Sequence, residues 1–564
     1  MYLKKTKTVK GRIYLQIVNG YRDSDGKARQ EVIEKIGYLD ELIDKYDDPI
    51  AHFAKLAKQM DKKDLDDRTL VFDSYKELDE DTNHLRNVGY LALKPILENL
   101  KLTPIFNALG TKYQTTTSLE SIFNFLIYSQ IITPSSKRSS YLKKHLYFEN
   151  FDFSEDQLYR SLSVFGNSYE AIKDKLFKLT NDVYPLDTST TFYDGTNFYF
   201  EIDKEDDFRK KGPSKENQPN PLVSIGLLLD NNGIPIDINI YPGNESEKDH
   251  FTKTIREMKI KNKIKGKTIY VADKGLNTQE NVYRALINGD GYIYSQTVKG
   301  AKEELKSLIE SDLGFESIYD KYGNEEFRIK DYTDEIVITD KDGKKHKIRQ
   351  KYVITWSKKY AEKTAYERNK LIKKAKGFIN NPAKYKKDQL GASAKYLSRV
   401  TFDNKGNLVK DKSSLVLNNE SIKRESRMDG FYLIVTSETN MKAIDIFRKY
   451  HSLNDIEETF KVTKSFLKVR PVYLQREERI KAHVLVAYTS LIILRILEKN
   501  ILKSEYSYSE IINSLREYQC AQIKPNRYFF FSYNKVIEKL GRISKSNVKL
   551  ETKNISEIRN LFKY

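Results

Sequence analysis

Residues 189–202 read STTFYDGTNFYFEI. β-Branched and aromatic side chains dominate, and a two-residue period sets Phe192, Asp194, Thr196, Phe198, Phe200 and Ile202 on one face of a strand. Asp194 is the only ionisable residue on that face. A buried lone carboxylate is costly unless something offsets it. A divalent cation would do so, as would an Arg or a helix N-terminus, and this strand alone leaves all three open.

Working outward, the strand is followed by PLVSIGLLLD (221–230), an NNG turn and IPIDINIY (234–241). A helical stretch from Ser246 to about 262 comes next, then KTIYVADKG (267–275), a helix expected to be capped by Asn277 with Glu280 behind it, and GYIYSQTV (291–298). Three strands, then helix, strand, helix, strand is the order of the ribonuclease-H-like fold. The first three can form an antiparallel meander, and strands joined through helices run parallel to a neighbour. In that order the first and fourth strands are adjacent. Asp273, at the carboxyl end of YVAD, then falls beside Asp194, where ligands of open α/β sheets bind.

A third acid is expected from a later helix, and YHSLNDIEETFKVTKSFLKVRPVY (450–473) supplies it. Seven residues advance a helix by nearly two turns, so Tyr450, Glu457 and Lys464 share a face, with Lys461 and Lys468 at neighbouring steps. Ile456, Phe460 and Leu467 form the adjoining apolar stripe. Glu458 is the rival acid, and the spacing from Tyr450 and Lys464 favours Glu457. A solvated helix with a Glu–Lys pair is the plain alternative. With Asp194 and Asp273 in order, the three acids read as the catalytic and metal-binding set. Carboxylates suit hard cations such as Mg²⁺, with Mn²⁺ able to substitute, and paired ions support in-line phosphoryl transfer without a protein nucleophile. There is no P-loop and no GxSxG elbow, so neither a nucleotide cofactor nor acyl transfer is expected.

The rest of the chain agrees with such a core. Its 564 residues are too many for one hydrophobic core, and 98 Lys+Arg against 79 Asp+Glu leave +19, a surplus that favours a polyanion. A single cysteine, Cys520, excludes a disulfide framework and fits a reducing cytoplasm. The basic N-terminus lacks a leader's apolar core, and HVLVAYTSLIIL (483–494) is too short for a bilayer, so a membrane partner is not expected.

The expected organisation is a basic hairpin and linker over 1–84, a helical DNA-binding or dimerisation domain over 85–185 and the core's first part over 186–298. A β-rich, basic insertion follows over 299–428, then the core's second part over 429–500 and a polar tail over 501–564. The fold class is therefore α/β, with a helical N-terminal domain and a helical C-terminal region. The lysine-rich stretch 358–399 reads as a solvated helix face or as phosphate contacts.

FYDGTNFYFE, YVADKGLN and Y…IEETFKVTKS…RPVY together resemble the bacterial DDE insertion-sequence transposases over about residues 85–500, in particular the insertion-sequence-four group. That group carries a Tyr–Arg–Glu–Lys signature. Tyr450, Glu457 and Lys464 match it, while Leu453 stands where Arg is expected, leaving Arg448 or Lys449 as substitutes. The resemblance implies cleavage at inverted terminal repeats, joining of 3′ ends to target DNA, a homodimer pairing two ends, and a cytoplasmic, nucleoid-associated enzyme. It also implies DNA contacts from Tyr450, Lys461, Lys464, Lys468 and Arg470. For Trp356, the only tryptophan, it implies stacking on a displaced base, against an ordinary core role; His483 reads as structural. A DNA-binding repressor without catalysis and a nuclease that cuts without joining are the other readings.

Overall fold

The computed structural model describes all residues except 9–10, 23–26, 44, 67–84, 214–218, 381–389, 399–415, 468, 470–471 and 525. The chain forms two compact units, Leu186–Phe460 and a second made of Met1–Pro185 with Lys461–Tyr564.

The Leu186–Phe460 unit is built on a nine-stranded sheet. Its strands are β1 (Thr190–Tyr199), β2 (Leu222–Leu229), β3 (Pro235–Pro242), β4 (Ile269–Ala272), β5 (Gly291–Gln296), β6 (Glu316–Tyr319), β7 (Glu325–Thr339), β8 (Lys345–Trp356) and β9 (Phe431–Thr436). Across the sheet the order is β6-β7-β8-β9-β5-β4-β1-β2-β3. β1, β2 and β3 form the antiparallel meander, and β1, β4 and β5 run parallel to one another. This half is the ribonuclease-H-like arrangement. Every residue of β2 is buried, as a strand covered on both faces must be.

The inserted strands β6, β7 and β8 do not form a sheet of their own. They continue the core sheet by antiparallel pairing of β8 with β9, which itself pairs with β5. An unpaired edge of β9 would expose a row of backbone donors and acceptors, and β8 satisfies them.

Helices α1 (Glu247–Lys261) and α2 (Gln279–Ile287) are the crossover connections between β3, β4 and β5. Thr278, not Asn277, caps α2: its hydroxyl accepts from the Asn281 N–H, while Asn277 donates its amide to the Ser295 carbonyl. α3 (Lys358–Asn380) follows β8, and α4 (Ala443–His451) packs over β4, β5, β7 and β8. α5 (Asn454–Lys461) begins after a break at Ser452–Leu453. Beyond it Val462–Phe466 is a π turn, closed by the Leu467 N–H to the Val462 carbonyl at 2.9 Å. The expected helix face through Tyr450 and Glu457 is therefore interrupted at Ser452–Leu453, and Lys464 falls within the π turn. A π turn adds a residue per turn and shifts every later side chain around the axis.

In the second unit, residues 94–183 carry six α-helices, among them Leu119–Ile132 and Glu155–Asn167. The latter starts at Ser154, whose capping box with Gln157 satisfies two of the first turn's free donors. Both pack on Glu477–Ile496. That helix and its extension to Ile501 are apolar and long enough to cross a membrane, but 94% of the apolar window is buried inside the protein. The expected N-terminal hairpin is a three-stranded antiparallel sheet, because Tyr2–Lys7 pairs with Ile13–Arg22 alongside Ala28–Tyr38. Residues 501–564 are not a loose tail. Helices Tyr508–Glu517 and Lys535–Ile543 bury apolar faces, and Gln519–Lys524 pairs with the distant Leu85–Asn87 in a four-stranded sheet.

Candidate active site

The parallel pairing of β1 with β4 matches Phe192 with Val271. Two residues further along each chain are Asp194 and Asp273. The two acids therefore stand level on neighbouring strands, whose axes are about 4.8 Å apart in any sheet. β4 ends at Ala272 and turns into a short 3₁₀ segment, Lys274–Leu276, while β1 runs on to Tyr199. The sheet opens at this level, at the carboxyl ends of its parallel strands.

Asp194 is half-buried, not fully enclosed, and its Oδ1 accepts from the Gly195 N–H at 2.8 Å. The Glu247 carboxylate of α1 lies close against Gly195, where a Cβ would have to displace it. Successive residues of a strand face opposite ways, so Glu247 lies behind the sheet from Asp194.

Asp273 is exposed. Three donors converge on its Oδ1: the Lys274 N–H at 2.7 Å, the Ser295 hydroxyl of β5 at 2.8 Å and the Tyr450 hydroxyl at 3.3 Å. Its Oδ2 accepts no hydrogen bond among the described residues. Tyr450 is 7% exposed, and burial raises its phenol well above the usual range, so it remains a donor at neutral pH. The Tyr432 hydroxyl lies 2.8 Å from that of Tyr450. With the Tyr450 proton directed to Asp273, Tyr432 is the donor in that pair.

Glu457 sits in the first turn of α5, exposed to solvent. It lines the same cavity as Asp194, Asp273 and Tyr450, a space of about 640 Å³. Glu458 is not among the lining residues. The insertion contributes Glu326, Phe327, Thr355, Lys359 and Tyr360 to the walls. Oxygen donors suit a hard cation, so the donor set fits Mg²⁺ in kind. Among the described residues, however, no three acidic, histidine or cysteine side chains are drawn together as a metal cluster. Asp194 and Asp273 stand level on neighbouring strands, and Glu457 lines the same cavity from a helix.

The basic residues predicted around the third acid divide differently. Lys461 is exposed at the end of α5 and Lys464 is half-buried in the π turn, both in the other unit. Lys468 and Arg470 lie outside the described residues. Leu453, in place of the expected Arg, is 9% exposed and lines the cavity. Lys449 is engaged elsewhere, donating to the Thr190 hydroxyl at 2.9 Å and to Asn231 at 3.4 Å, which ties α4 to β1. Arg448 is exposed.

Trp356 donates its indole N–H to the Asp429 carbonyl at 3.1 Å, and the Arg328 guanidinium lies 4.4 Å from its ring centre. One ring face is therefore already covered, as in a packing role. Tyr432 and Ser295 escaped the sequence reading. Nothing in GFYLIVTSE or GYIYSQTV marks them; only the adjacency of β5 and β9 in the sheet brings them to Asp273 and Tyr450.

Two family models match the chain. One describes the N-terminal domain of IS1634 family transposases and covers residues 3–69; the other, the transposase DDE domain, covers residues 185–493. Neither names the insertion-sequence-four group. Among solved structures, a piggyBac transposase synaptic complex with hairpin DNA, determined by cryo-EM, aligns over 76% of this chain and 79% of its own, at 10% identity and a TM-score of 0.34. No curated protein matches the chain. The DDE domain match takes in Asp194, Asp273 and Glu457 and extends over more than half of the 564 residues: the chain belongs to the DDE-domain transposases.

Proposed function

We propose that this transposase cuts DNA at the inverted terminal repeats of its own insertion sequence and joins the freed 3′ ends to target DNA, with Asp194, Asp273 and Glu457 as its metal-binding catalytic acids. The observation that carries this reading is the level placement of Asp194 and Asp273 on adjacent parallel strands, with Glu457 lining the same cavity. Magnesium, or manganese in its place, would be held by these carboxylates and would activate the attacking water or 3′-hydroxyl and stabilise the leaving oxygen.

The chain's own residues prepare that task. Tyr450, Ser295 and the Lys274 N–H occupy Oδ1 of Asp273 and fix the carboxylate plane, so Oδ2 is the oxygen offered to an ion. Tyr432 holds Tyr450 in turn. Lys274 and Lys359, both exposed on the cavity wall, supply positive charge for a phosphate backbone. Within an insertion-sequence-four-type signature, the contact that Leu453 cannot make falls to Arg448, since Lys449 is tied to β1. Lys461, Lys464, Lys468 and Arg470 serve as backbone contacts, and two copies pair the two ends.

Cleavage and strand transfer on DNA carrying the flanking repeats, with Mg²⁺, test this reading. Wild type should nick and join. Asp194→Ala should bind the ends and do neither, and equal activity in that variant would sink the assignment. Nicking without joining by the wild type would leave a nuclease.

A further inference from the structure

Beyond the acidic cavity, the insertion carries one strongly basic face. Helix α3 holds eight Lys and Arg side chains against two Glu. They are not scattered. Steps of three and four residues return to one face of a helix, so Lys359, Lys363, Tyr366, Lys370, Lys373 and Lys374 form a single stripe. All six are exposed, Tyr366 by 72%. Among the described residues none of the five lysines takes part in an ion pair. Glu362 and Glu367 stand to either side of the stripe, not on it.

The opposite face of α3 is already occupied. Ala375 and Phe378 are buried in a small apolar core, and Arg368 pairs with Asp429. A basic helix lying on a lipid surface would need that apolar face free. What α3 offers a partner is the lysine stripe. One end of it begins in the catalytic cavity, whose wall includes Lys359 and Tyr360. From Lys359 to Lys374 the helix advances about 22 Å. Over that length one strand of a DNA duplex carries about six phosphates. Lysine presents a compact charge on a flexible stem, and a tyrosine hydroxyl also suits a phosphate oxygen. The stripe has no Arg, Asn or Gln, the side chains that read guanine and adenine edges.

We propose that the exposed face of α3 seats the backbone of a DNA duplex running out of the catalytic cavity, contacting its phosphates without regard to sequence. The inference rests on the DNA-cleaving reading of that cavity only for where the duplex leads. The contact itself does not require the three acids to act.

The test uses the full chain and a duplex of arbitrary sequence without the terminal repeats. Cys520, the only cysteine, is 0% exposed, so Tyr366→Cys puts one accessible thiol within the stripe. Lys265→Cys puts one just before β4, at the end of that strand away from Asp273. With DNA at about ten times its Kd, maleimide labelling should slow about tenfold in Tyr366→Cys and stay unchanged in Lys265→Cys. Charge neutralisation gives an independent readout. Lys363→Gln/Lys370→Gln/Lys374→Gln should bind about a hundredfold more weakly at about 0.1 M salt, with the salt slope smaller by about 3. Glutamine is a good helix former, so the fold is not at stake. Lys261→Gln/Lys263→Gln/Lys265→Gln removes the same charge from the far end of β4 and should leave the slope unchanged. Equal protection of the two thiols, or equal losses in the two triple variants, would reduce the effect to net charge and overturn the proposal. A wild type that ignores this duplex, or binds it while Tyr366→Cys labels freely, would overturn it too and leave the cleavage reading to its own assay.

Discussion

The two cavities of this transposase solve opposite electrostatic problems. In the sheet unit the charges are carboxylates at or near the surface, on the walls of a cleft that also carries Lys274 and Lys359. In the helical unit they are a buried lysine and a buried histidine, Lys137 and His483, beside serine, tyrosine and arginine side chains, with no acid on the wall among the described residues. At the surface a carboxylate keeps most of its hydration. Buried basic groups instead surrender their charge, and the structure records this as lowered proton affinity at Lys137 and His483.

The sharpest way to break the contrast is at the acids. Asp194→Asn and Asp273→Asn should each lower Mg²⁺-dependent end cleavage by about a thousandfold or more while terminal-repeat binding persists, as expected when ligands of one catalytic assembly are removed. Gel-based cleavage and mobility-shift assays on the same preparations separate the two effects. Glu457→Gln should fall as far, whereas Glu458→Gln should stay within about twofold, the scale of an ordinary surface change. The reverse ranking would move the third acid by one residue.

The buried lysine is the next lever. Lys137→Met should raise stability by about 1–4 kcal/mol at pH 7 in denaturant titrations, because a buried unpaired charge is exchanged for a hydrophobic side chain of similar volume. The pH dependence has a definite sign. The folded amine titrates at about 7 and the unfolded one near 10.5, so between these values the unfolded chain binds more protons. The lysine's penalty is complete below about pH 7 and is relieved as pH rises, by about 1.4 kcal/mol per pH unit at most. The advantage of Lys137→Met over wild type should accordingly shrink between pH 7 and 10; a constant gap would mean that the lysine is not desolvated.

Among the residues proposed to act at the site, Tyr450→Phe should have the smallest effect. Its hydrogen bond to Asp273 is long at 3.3 Å, and Ser295 and the Lys274 N–H remain. Loss of about tenfold in the cleavage rate, with DNA affinity unchanged, is expected for one charge-assisted hydrogen bond at the weak end of its range. An unchanged rate would mean that the tyrosine is only a packing group.

Much of the sheet unit could be read from local pattern. Alternation in STTFYDGTNFYFEI, the NNG turn and the two crossover helices suffice for the order β3-β2-β1-β4-β5, and with it for the neighbouring positions of Asp194 and Asp273. Where reading failed, the cause was non-local pairing or a small backbone irregularity. No composition announces that Tyr2–Lys7 adds a third strand, that β8 finds β9, or that Gln519–Lys524 pairs with Leu85–Asn87. The π turn at Val462–Phe466 departs from a pattern that reads as plain α-helix.

By itself, then, the amino-acid sequence determined the identities and order of the acids and the strands and helices that bear them, because period and side-chain shape act within a few residues. Only the tertiary structure decided how exposed those acids are, that Tyr450 serves Asp273, and that Lys137 and His483 face one pocket across hundreds of residues of chain. Burial and hydrogen-bond partnership depend on which distant segments meet. That outcome is set by packing of the whole unit, not by any local run of residues.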